Sequence, residues 1–326
     1  MTARSCLLLI AVSALALLGA LLVGPAPLAP GEALAALFGE GPASVIVRDI
    51  RLPRALAAFL AGAALGAAGA ALQGLLRNPL ADPGVLGVSS IAALGAVIAI
   101  YFNLAAALFW LTPLAAIIAA FVATALLYAL GAGRLSATRL ILVGVGLSSL
   151  AGAAIALVMN LAPNPFILSD LVNWLFGAVT NRSLADIALT APFMTVGLAL
   201  VLLAAPGLSA LALGEETAAS LGADLVRTRT LAIGGAALMT GAAVALAGAI
   251  GFVGIVAPHL ARPLSGHDPG RAILPSALVG GAMLALADLV IRLLPFEQEL
   301  KLGVAAALIG APAFIAIAAR TQRIAS

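Results

Sequence analysis

The feature that most constrains this chain is a series of long apolar runs that contain almost no charged residues. Of its 326 residues, 63% are hydrophobic and only 9% are charged, whereas a soluble domain carries about 25% charged residues. So little charge cannot cover a core in water, and a membrane-spanning helix needs about 20 apolar residues. Open sheet edges do not occur in hydrocarbon, and unbroken apolar runs are not typical of barrel strands. The sequence therefore predicts an all-α, polytopic membrane protein.

Glycine, proline and arginine residues divide the apolar runs into ten predicted spans. The eighth run is short and contains Pro258, so we do not expect it to cross as a simple helix. The first run follows Arg4 and could be a signal peptide, but no small-x-small cleavage site follows it closely, so we interpret it as a retained helix. No segment between the runs is long enough to be a domain, so we treat 1–326 as one transmembrane domain. The predicted spans are 5–23, 53–75, 84–105, 108–131, 140–160, 187–205, 230–249, 252–264, 274–293 and 303–319.

The composition excludes several kinds of chemistry. The one cysteine, Cys6, rules out a disulfide or a thiolate metal site within one chain. The one lysine, Lys301, does not lie in a GxxxxGK[ST] phosphate loop, so another subunit must hydrolyse ATP if transport requires it. The net charge of +3 comes from scattered residues and not from the clustered basic face of a nucleic-acid binder.

Ten spans place both termini on one side and divide the basic residues into ten and six. The positive-inside rule assigns the richer side, which includes both termini, to the cytoplasm. Five of the six outer charges fall at 48–54 and 292–301, on the side that normally avoids them. The cytoplasmic set is Arg4, Arg77, Arg134, Arg139, Arg227, Arg229, Arg262, Arg271, Arg320 and Arg323, and the outer set is Arg48, Arg51, Arg54, Arg182, Arg292 and Lys301.

Arginines three residues apart stand at the outer mouth of the second span. Arg51 and Arg54 flank Pro53, which suits the first turn of a helix, so both side chains would project from one helix face. These two arginines are either interfacial anchors, whose charged ends only extend toward water, or part of a functional cluster.

Two cytoplasmic segments have a similar ambiguity. The turn at 75–84 has two prolines, a charge of each sign and an amide, and is either an ordinary connector or a loop held in one shape. The segment 214–222 is either a solvated connector or a short amphipathic helix that sits in a groove of a soluble partner. In the second case Ala218, Ala219 and Leu221 would form its apolar face.

The remaining polar residues do not indicate metal or proton chemistry. His259 has no second ligand at metal-binding spacing, so we interpret it as structural or interfacial. His267 and Asp268 are typical of a solvated turn. Asp288 lies four residues before Arg292, a spacing that allows the two to pair. A proton relay would need further carboxylates at mid-membrane depth, and the sequence has none there.

Taken together, these segments resemble the FecCD-type permease family, the membrane subunits of ABC importers for ferric siderophores, haem and cobalamin. Each motif is modest, but the set occurs in the family's order from about residue 45 to the end. The segments that carry the resemblance are 51–54, 62–73, 77–84, 214–222, 251–262, 274–275, 287–288 and 310–312.

The resemblance implies the type II ABC importer permease architecture, with ten spans and a homodimer or close heterodimer in the inner membrane. It also implies two ATP-binding cassette subunits, which would hold ATP and Mg²⁺, and a two-lobed binding protein outside. This chain would bind no metal or cofactor and would not itself be an enzyme.

Family roles can be transferred to matching positions. The implied docking residues for glutamates of the binding protein are Arg51, Arg54 and Arg292. The implied ATPase coupling loop comprises Gly214, Glu215, Glu216, Ala219, Ser220, Leu221 and Gly222, and the implied cytoplasmic gate comprises Asn78, Pro79, Leu80, Ala137 and Thr138.

One position departs from the family pattern. The family usually has Glu-Leu-Pro before the last span, but here Glu299 and Leu300 are followed by Lys301. This change adds a charge to an outer loop near the implied docking surface, which bears on fine specificity and not on the family.

The sequence therefore predicts an importer permease, with ferric siderophore as the first choice of substrate because such systems are frequent in the family. Haem and cobalamin are the alternatives, and no residue chooses between them. Two other classes remain as contrasts. An ion-coupled secondary transporter would work without an ATPase and would lose coupling in Asp288→Asn. A membrane-embedded enzyme would need clustered acids or histidines inside the spans, and none is visible.

Overall fold

The computed structural model describes residues 3–130, 137–295 and 299–325, and within these ranges the regular structure is helical. A π-helical turn, Ile46–Arg51, leads directly into the fourth helix. The helices are α1 (Ala3–Leu22), α2 (Pro30–Ala35), α3 (Pro42–Val45), α4 (Leu52–Leu76), α5 (Val88–Tyr101), α6 (Leu111–Leu130), α7 (Ala137–Asn160), α8 (Pro165–Leu175), α9 (Leu184–Leu211), α10 (Glu215–Ser220), α11 (Leu225–Ala247), α12 (Val253–Ala261), α13 (Ile273–Leu293) and α14 (Leu302–Ala325).

The all-α membrane fold predicted from the apolar runs is confirmed. Each of the ten runs coincides with one helix, and seven of the described helices are long and apolar enough to cross a membrane: α1, α4, α6, α7, α9, α11 and α13. Helix α5 and the apolar part of α14 are shorter. Helix α12 has only nine residues and contains Pro258, which agrees with the expectation that the eighth run does not cross as a simple helix.

Short helices occupy the segments between the spans. Helices α2 and α3 follow α1, and α8 lies between the predicted spans 140–160 and 187–205. Asn164 caps α8 by accepting a hydrogen bond from the Ile167 amide, and Pro165 at the first helical position also favours a helix start there.

Helices α4 and α11 form the centre of the bundle. Helix α4 packs against α13, α11, α12 and α9, while α11 also packs against α9 and α6. Most residues of both helices are buried, whereas α7 packs mainly on α5 and leaves most of its surface exposed. The chain therefore has a dense centre and an outer helix that it covers poorly by itself.

The α4–α13 crossing is a backbone-to-backbone contact. A Cβ atom placed on Gly62 would lie 2.1 Å from the carbonyl oxygen of Gly280, and one on Gly280 would lie 2.3 Å from the carbonyl oxygen of Gly62. Small residues at such positions allow helices in membranes to approach closely. The run from residue 62 thus serves the close packing of the bundle.

The connecting loops gather at two ends of the bundle. At one end, the Ser209 hydroxyl donates to Asp268 Oδ1 at 2.6 Å, and Arg77 faces Gly214. At the other, the Tyr101 hydroxyl donates to the Leu161 carbonyl at 3.1 Å. We call the first the inner end and the second the outer end, following the predicted orientation.

Candidate docking, coupling and gate sites

Asp288 is the centre of a buried ion cluster at the outer end. From the first turn of α4, Arg54 donates through Nε to both carboxylate oxygens of Asp288, at 3.0 and 3.1 Å, and through Nη2 to Oδ1 at 2.8 Å. From α13, Arg292 donates through Nε to Asp288 Oδ2 at 2.8 Å. The predicted Asp288–Arg292 pair is confirmed, and Arg54, 234 positions away in the chain, completes it.

Glu299 is the most exposed acid of this cluster. Its carboxylate pairs with Arg54 Nη2, while its side chain remains about one-third exposed. Asp288 is only 1% exposed and Arg54 only 8%. Two arginines and two carboxylates therefore meet here, next to Arg51, the residue that precedes α4. The exposed part of their charge is the Glu299 carboxylate.

The end of α1 is bound by two of the same arginines. Arg51 Nη1 donates to the carbonyls of Leu21 and Leu22, at 3.0 and 2.9 Å, and Arg292 Nη1 donates to the carbonyl of Ala20 at 3.0 Å. The last carbonyls of a helix have no partner within the helix, so guanidinium groups stabilise this end. The arginines join α1, α4 and α13.

The structure brings Arg51, Arg54 and Arg292 together as predicted, but it places all three inside the protein. Arg51 is 3% exposed and Arg292 is 8% exposed. Interfacial anchors that only reach toward water would be exposed, so that alternative does not describe them. Arg48 is the exposed arginine next to this cluster. The docking role stays a prediction.

At the inner end, 214–222 does form a short helix, α10. Gly214 and Gly222 bound it with φ values of +105° and +83°, which glycine adopts readily. Glu215 Oε1 accepts from Arg229 Nη2 at 2.7 Å, which fixes α10 to the start of α11.

The expectation that Ala218, Ala219 and Leu221 form one apolar face of α10 is wrong for Ala218. Ala218 points into the protein and is fully buried, whereas Ala219 and Leu221 are exposed. Ala218 attaches this short helix to the rest of the protein. For that reason Ala218, Ala219 and Leu221 cannot all lie on its exposed side. The side free for a partner carries Glu216, Ala219 and Leu221.

The turn at 75–84, which contains the implied gate residues 78–80 and which we call the gate turn, is held in one shape by local hydrogen bonds. This agrees with the second of the two interpretations offered for it. Arg77 ends α4 in the left-handed region with φ +48°. Asn78 Oδ1 then accepts from the Leu80 amide at 2.9 Å, and Asp82 Oδ1 accepts from the Gly84 amide at 2.7 Å. Burial raises the pKa of Asp82 to about 6, although the Gly84 hydrogen bond opposes this shift.

The second predicted gate segment is described only in part. Ala137 and Thr138 begin α7, but their side chains lie outside the described part of the chain. Whether they face the same path as Pro79 and Leu80 therefore stays a prediction.

A polar bridge next to the gate turn was missed by the sequence analysis. Gln73 lies buried in α4, where its Nε2 donates to the Gly254 carbonyl at 3.2 Å and its Oε1 accepts from Arg262 Nη2 at 2.8 Å. The bridge fastens both ends of α12 to α4. Gln73 is the one glutamine in the apolar part of α4 that follows Arg54, and this could have indicated a buried polar contact.

The unusual Lys301 lies at an outer cavity of about 440 Å³. Asp170 and Trp174 of α8 line the same cavity, as does Arg182. Burial lowers the pKa of Arg182, and the charge of Asp186 partly offsets that effect. The departure from the family pattern thus adds a cation to a polar outer cavity.

Comparison with known proteins agrees with this geometry. The sequence profile of the FecCD transport family matches residues 8–320. An uncharacterised ABC transporter permease protein of Bacillus subtilis, YvrB, is 40% identical over 283 residues, or 85% of this chain and 80% of its own length.

Two further relatives have named substrates. The cobalamin import system permease protein BtuC of Halobacterium salinarum is 41% identical over 277 residues, 84% of this chain and 73% of its own. The vitamin B12 import system permease protein BtuC of Salmonella typhimurium is 38% identical over 319 residues, 97% of this chain and 95% of its own.

A solved structure has the same fold. A metal-chelate type ABC transporter in an inward-facing conformation superposes with a TM-score of 0.79 and 29% sequence identity. The match covers 96% of this chain and 97% of the other.

Proposed function

The chain belongs to the FecCD transport family of ABC importer permeases, and from that premise we propose that it carries a cobalamin-type corrinoid across the membrane. The observation that supports this substrate best is the 38% identity to a vitamin B12 permease along 97% of the chain. The same substrate is named for a relative from an archaeon, so the assignment does not depend on one group of organisms.

This proposal replaces the ferric siderophore that family frequency favoured. The relatives described above do not support a siderophore in preference to cobalamin. A second candidate, a metal chelate, is favoured by one observation, the likeness to the metal-chelate type transporter. Both cargoes are large, and this chain would move either one through a path that binds it weakly.

The proposed assembly contains a second copy of this chain, two ATP-binding cassette subunits at the inner end and a binding protein at the outer end. Support for the second copy comes from α7, whose surface the chain itself leaves largely uncovered. Support for the ATPase contact comes from α10, which exposes Glu216 and Leu221 at the inner end.

The ion cluster would take part in docking through exchange of carboxylates. A glutamate of the binding protein would displace Glu299 from Arg54, while Asp288 continues to hold the guanidinium in place. Helix α4 runs without a break from this cluster to the gate turn, over 25 residues, which is about 37 Å. A displacement of its outer end would therefore be transmitted to Arg77 and Asn78.

The substrate assignment is tested by uptake in cells that lack this chain and in cells that express it. We expect accumulation of radiolabelled cyanocobalamin only in cells that express the chain, and we expect depletion of ATP to abolish it. A parallel measurement with a radiolabelled ferric siderophore serves as the matched comparison. Siderophore uptake without cobalamin uptake would refute the corrinoid assignment and favour the metal chelate.

A further inference from the structure

A cationic cavity of about 270 Å³ lies at the inner end, between the last turn of α4, the end of α12 and the loop after it. Its charged or titratable lining residues are Arg77, Arg262 and His267. None of the described residues that line it is a carboxylate. For scale, a water molecule occupies about 30 Å³ in the liquid, so the space admits one polar side chain together with several waters.

The two arginines of this cavity have no acidic partner in the described part of the chain. Arg262 is only partly exposed, and its one hydrogen bond is to the neutral Gln73. The Arg77 side chain forms no hydrogen bond or ion pair with the described residues. Arg77 is exposed, whereas Arg262 is partly buried without a counter-ion among the described residues. A partly buried cation of this kind is costly, so an anion would stabilise Arg262.

Three acids of the surrounding inner-end loops already have partners. Asp268, next to His267, accepts from the Ser209 hydroxyl and the Arg271 amide. Asp82 accepts from the Gly84 amide, and Glu215 pairs with Arg229. Neutralisation of the cavity by any of these three acids would therefore break an existing contact.

Backbone conformation holds two of the cavity's basic residues in place. Arg77 and His267 both have left-handed backbones, with φ values of +48° and +63°. Residues other than glycine adopt this region rarely, and such positions concentrate at functional sites. The left-handed conformation of Arg77 turns the chain at the end of α4, and that of His267 turns it after α12. Both side chains are thereby placed at the cavity.

The position of the cavity indicates which molecule can reach it. Pro79 of the gate turn and Ala212, between α9 and α10, form part of its wall. A Cβ atom on Gly214, the residue before α10, would lie 4.0 Å from Arg77 Nη1. Since α4 lies at the centre of the bundle, its inner end faces the aqueous side and not the lipid around the bundle. A protein seated on α10 would cover the cavity.

We propose that this cavity binds an acidic side chain of the ATP-binding cassette subunit, in addition to the contact that α10 makes. The inference rests on the proposed function, since it requires a separate ATPase at the inner end. A carboxylate would form charge-assisted hydrogen bonds with Arg77 and Arg262, which are among the stronger polar contacts. Through Arg77 and Pro79 the ATPase would then hold the end of α4 and the gate turn directly, and not only through α10.

The test measures binding of the ATP-binding cassette subunit that forms a complex with the wild-type chain, both reconstituted in phosphatidylcholine nanodiscs. Arg77→Asn removes the charge and keeps a residue that tolerates a left-handed backbone. We expect its dissociation constant to rise about tenfold or more, and that of Arg77→Glu to rise further. Arg271→Gln is the matched control, because Arg271 is exposed in the same region but does not line the cavity; we expect less than a twofold change.

Each outcome decides the proposal. Equal affinity of wild type and Arg77→Asn would overturn it while leaving the importer assignment intact. If Arg77→Asn does not fold, Arg262→Gln takes its place and is expected to weaken binding, with unchanged affinity again refuting the proposal. An effect seen only in nanodiscs with added phosphatidylglycerol would identify a lipid phosphate as the occupant and also overturn it. Failure of the wild-type chain to bind any ATP-binding cassette subunit would refute the proposed function itself.

Discussion

At the scale of residues, the outer ion cluster depends on one carboxylate. Asp288 accepts hydrogen bonds from both Arg54 and Arg292 and is 1% exposed. Removal of one partner of a buried ion pair is strongly destabilising because it leaves an uncompensated charge in a medium that solvates it poorly. In this structure, Asp288 is a structural residue of the α4–α13 contact.

We expect Asp288→Asn to destabilise the protein by about 3–5 kcal/mol, because it leaves two buried guanidinium groups without their shared anion. Thermal unfolding of the purified chain in detergent would measure this loss. Glu299→Gln is the matched control, and a smaller effect is expected because Glu299 is about one-third exposed. Equal stability of Asp288→Asn and wild type would contradict the role given to Asp288.

The second prediction at this scale concerns pH. The pKa of Asp82 is about 6 in the folded chain against an ordinary value of 3.8, so the folded state retains a proton that the unfolded state releases. The stabilising effect is therefore complete below about pH 4 and is lost as the pH rises to about 6. Asp82→Asn carries no charge, so it should be more stable than wild type at pH 7.5, by at most about 3 kcal/mol.

At pH 4 the Asp82→Asn variant and the wild type should unfold at nearly the same temperature. Melting temperatures of the two proteins at both pH values provide the comparison. A constant difference between them from pH 4 to pH 7.5 would show that titration of Asp82 does not affect folding.

At the scale of elements, the close α4–α13 contact limits what the crossing can accommodate. A Cβ atom on Gly62 would lie 2.1 Å from the Gly280 carbonyl oxygen, and this atom belongs to a helix backbone that cannot move aside alone. Overpacking in a dense interior typically costs about 1–3 kcal/mol. Helices α4 and α13 are therefore expected to behave as one unit.

We expect Gly62→Ala to lower stability by at least this amount and to reduce the yield of folded protein. Gly234→Ala in α11 is the matched control, since no atom lies within 4 Å of the added methyl group. Size-exclusion profiles and melting temperatures of both variants would distinguish them. A Gly62→Ala protein as stable as Gly234→Ala would show that the two helices are not in such close contact.

The sequence identified the apolar helices but not the short helix α8 or the contacts between helices. The ten apolar runs each coincide with one helix, because the bilayer imposes length and polarity on each helix separately. The Asp288–Arg292 pair was predicted because it lies within one helix. Arg54 is 234 positions from Asp288, and no local pattern reports such a contact. For the same reason the sequence led us to expect Arg51 at the surface, although it binds the end of α1.

At the scale of the whole molecule, the proposed assembly contains a second copy of the chain. Helix α7, like α1 and α9, is mostly exposed in one chain, whereas α4 and α11 are mostly buried. We expect the purified protein to be a dimer in mild detergent, with a protein mass of about twice 32.1 kDa by light scattering. A charged residue at exposed Leu150 of α7 should shift the mass toward one copy, whereas a monomeric wild type would contradict the proposed assembly.

The 234-residue separation within the Arg54–Asp288 pair also has a consequence for how the protein is made. Ribosomes add about 5–20 residues per second, so Arg54 is synthesised roughly 12–47 s before the aspartate that neutralises it. Arg51 does not wait in this way, because α1, which supplies its carbonyl partners, precedes it. We therefore expect Arg54 to stay in the headgroup layer until Asp288 has been made. Synthesis of α13, which carries Asp288, would thus determine when Arg54 and the start of α4 reach their final depth in the bilayer.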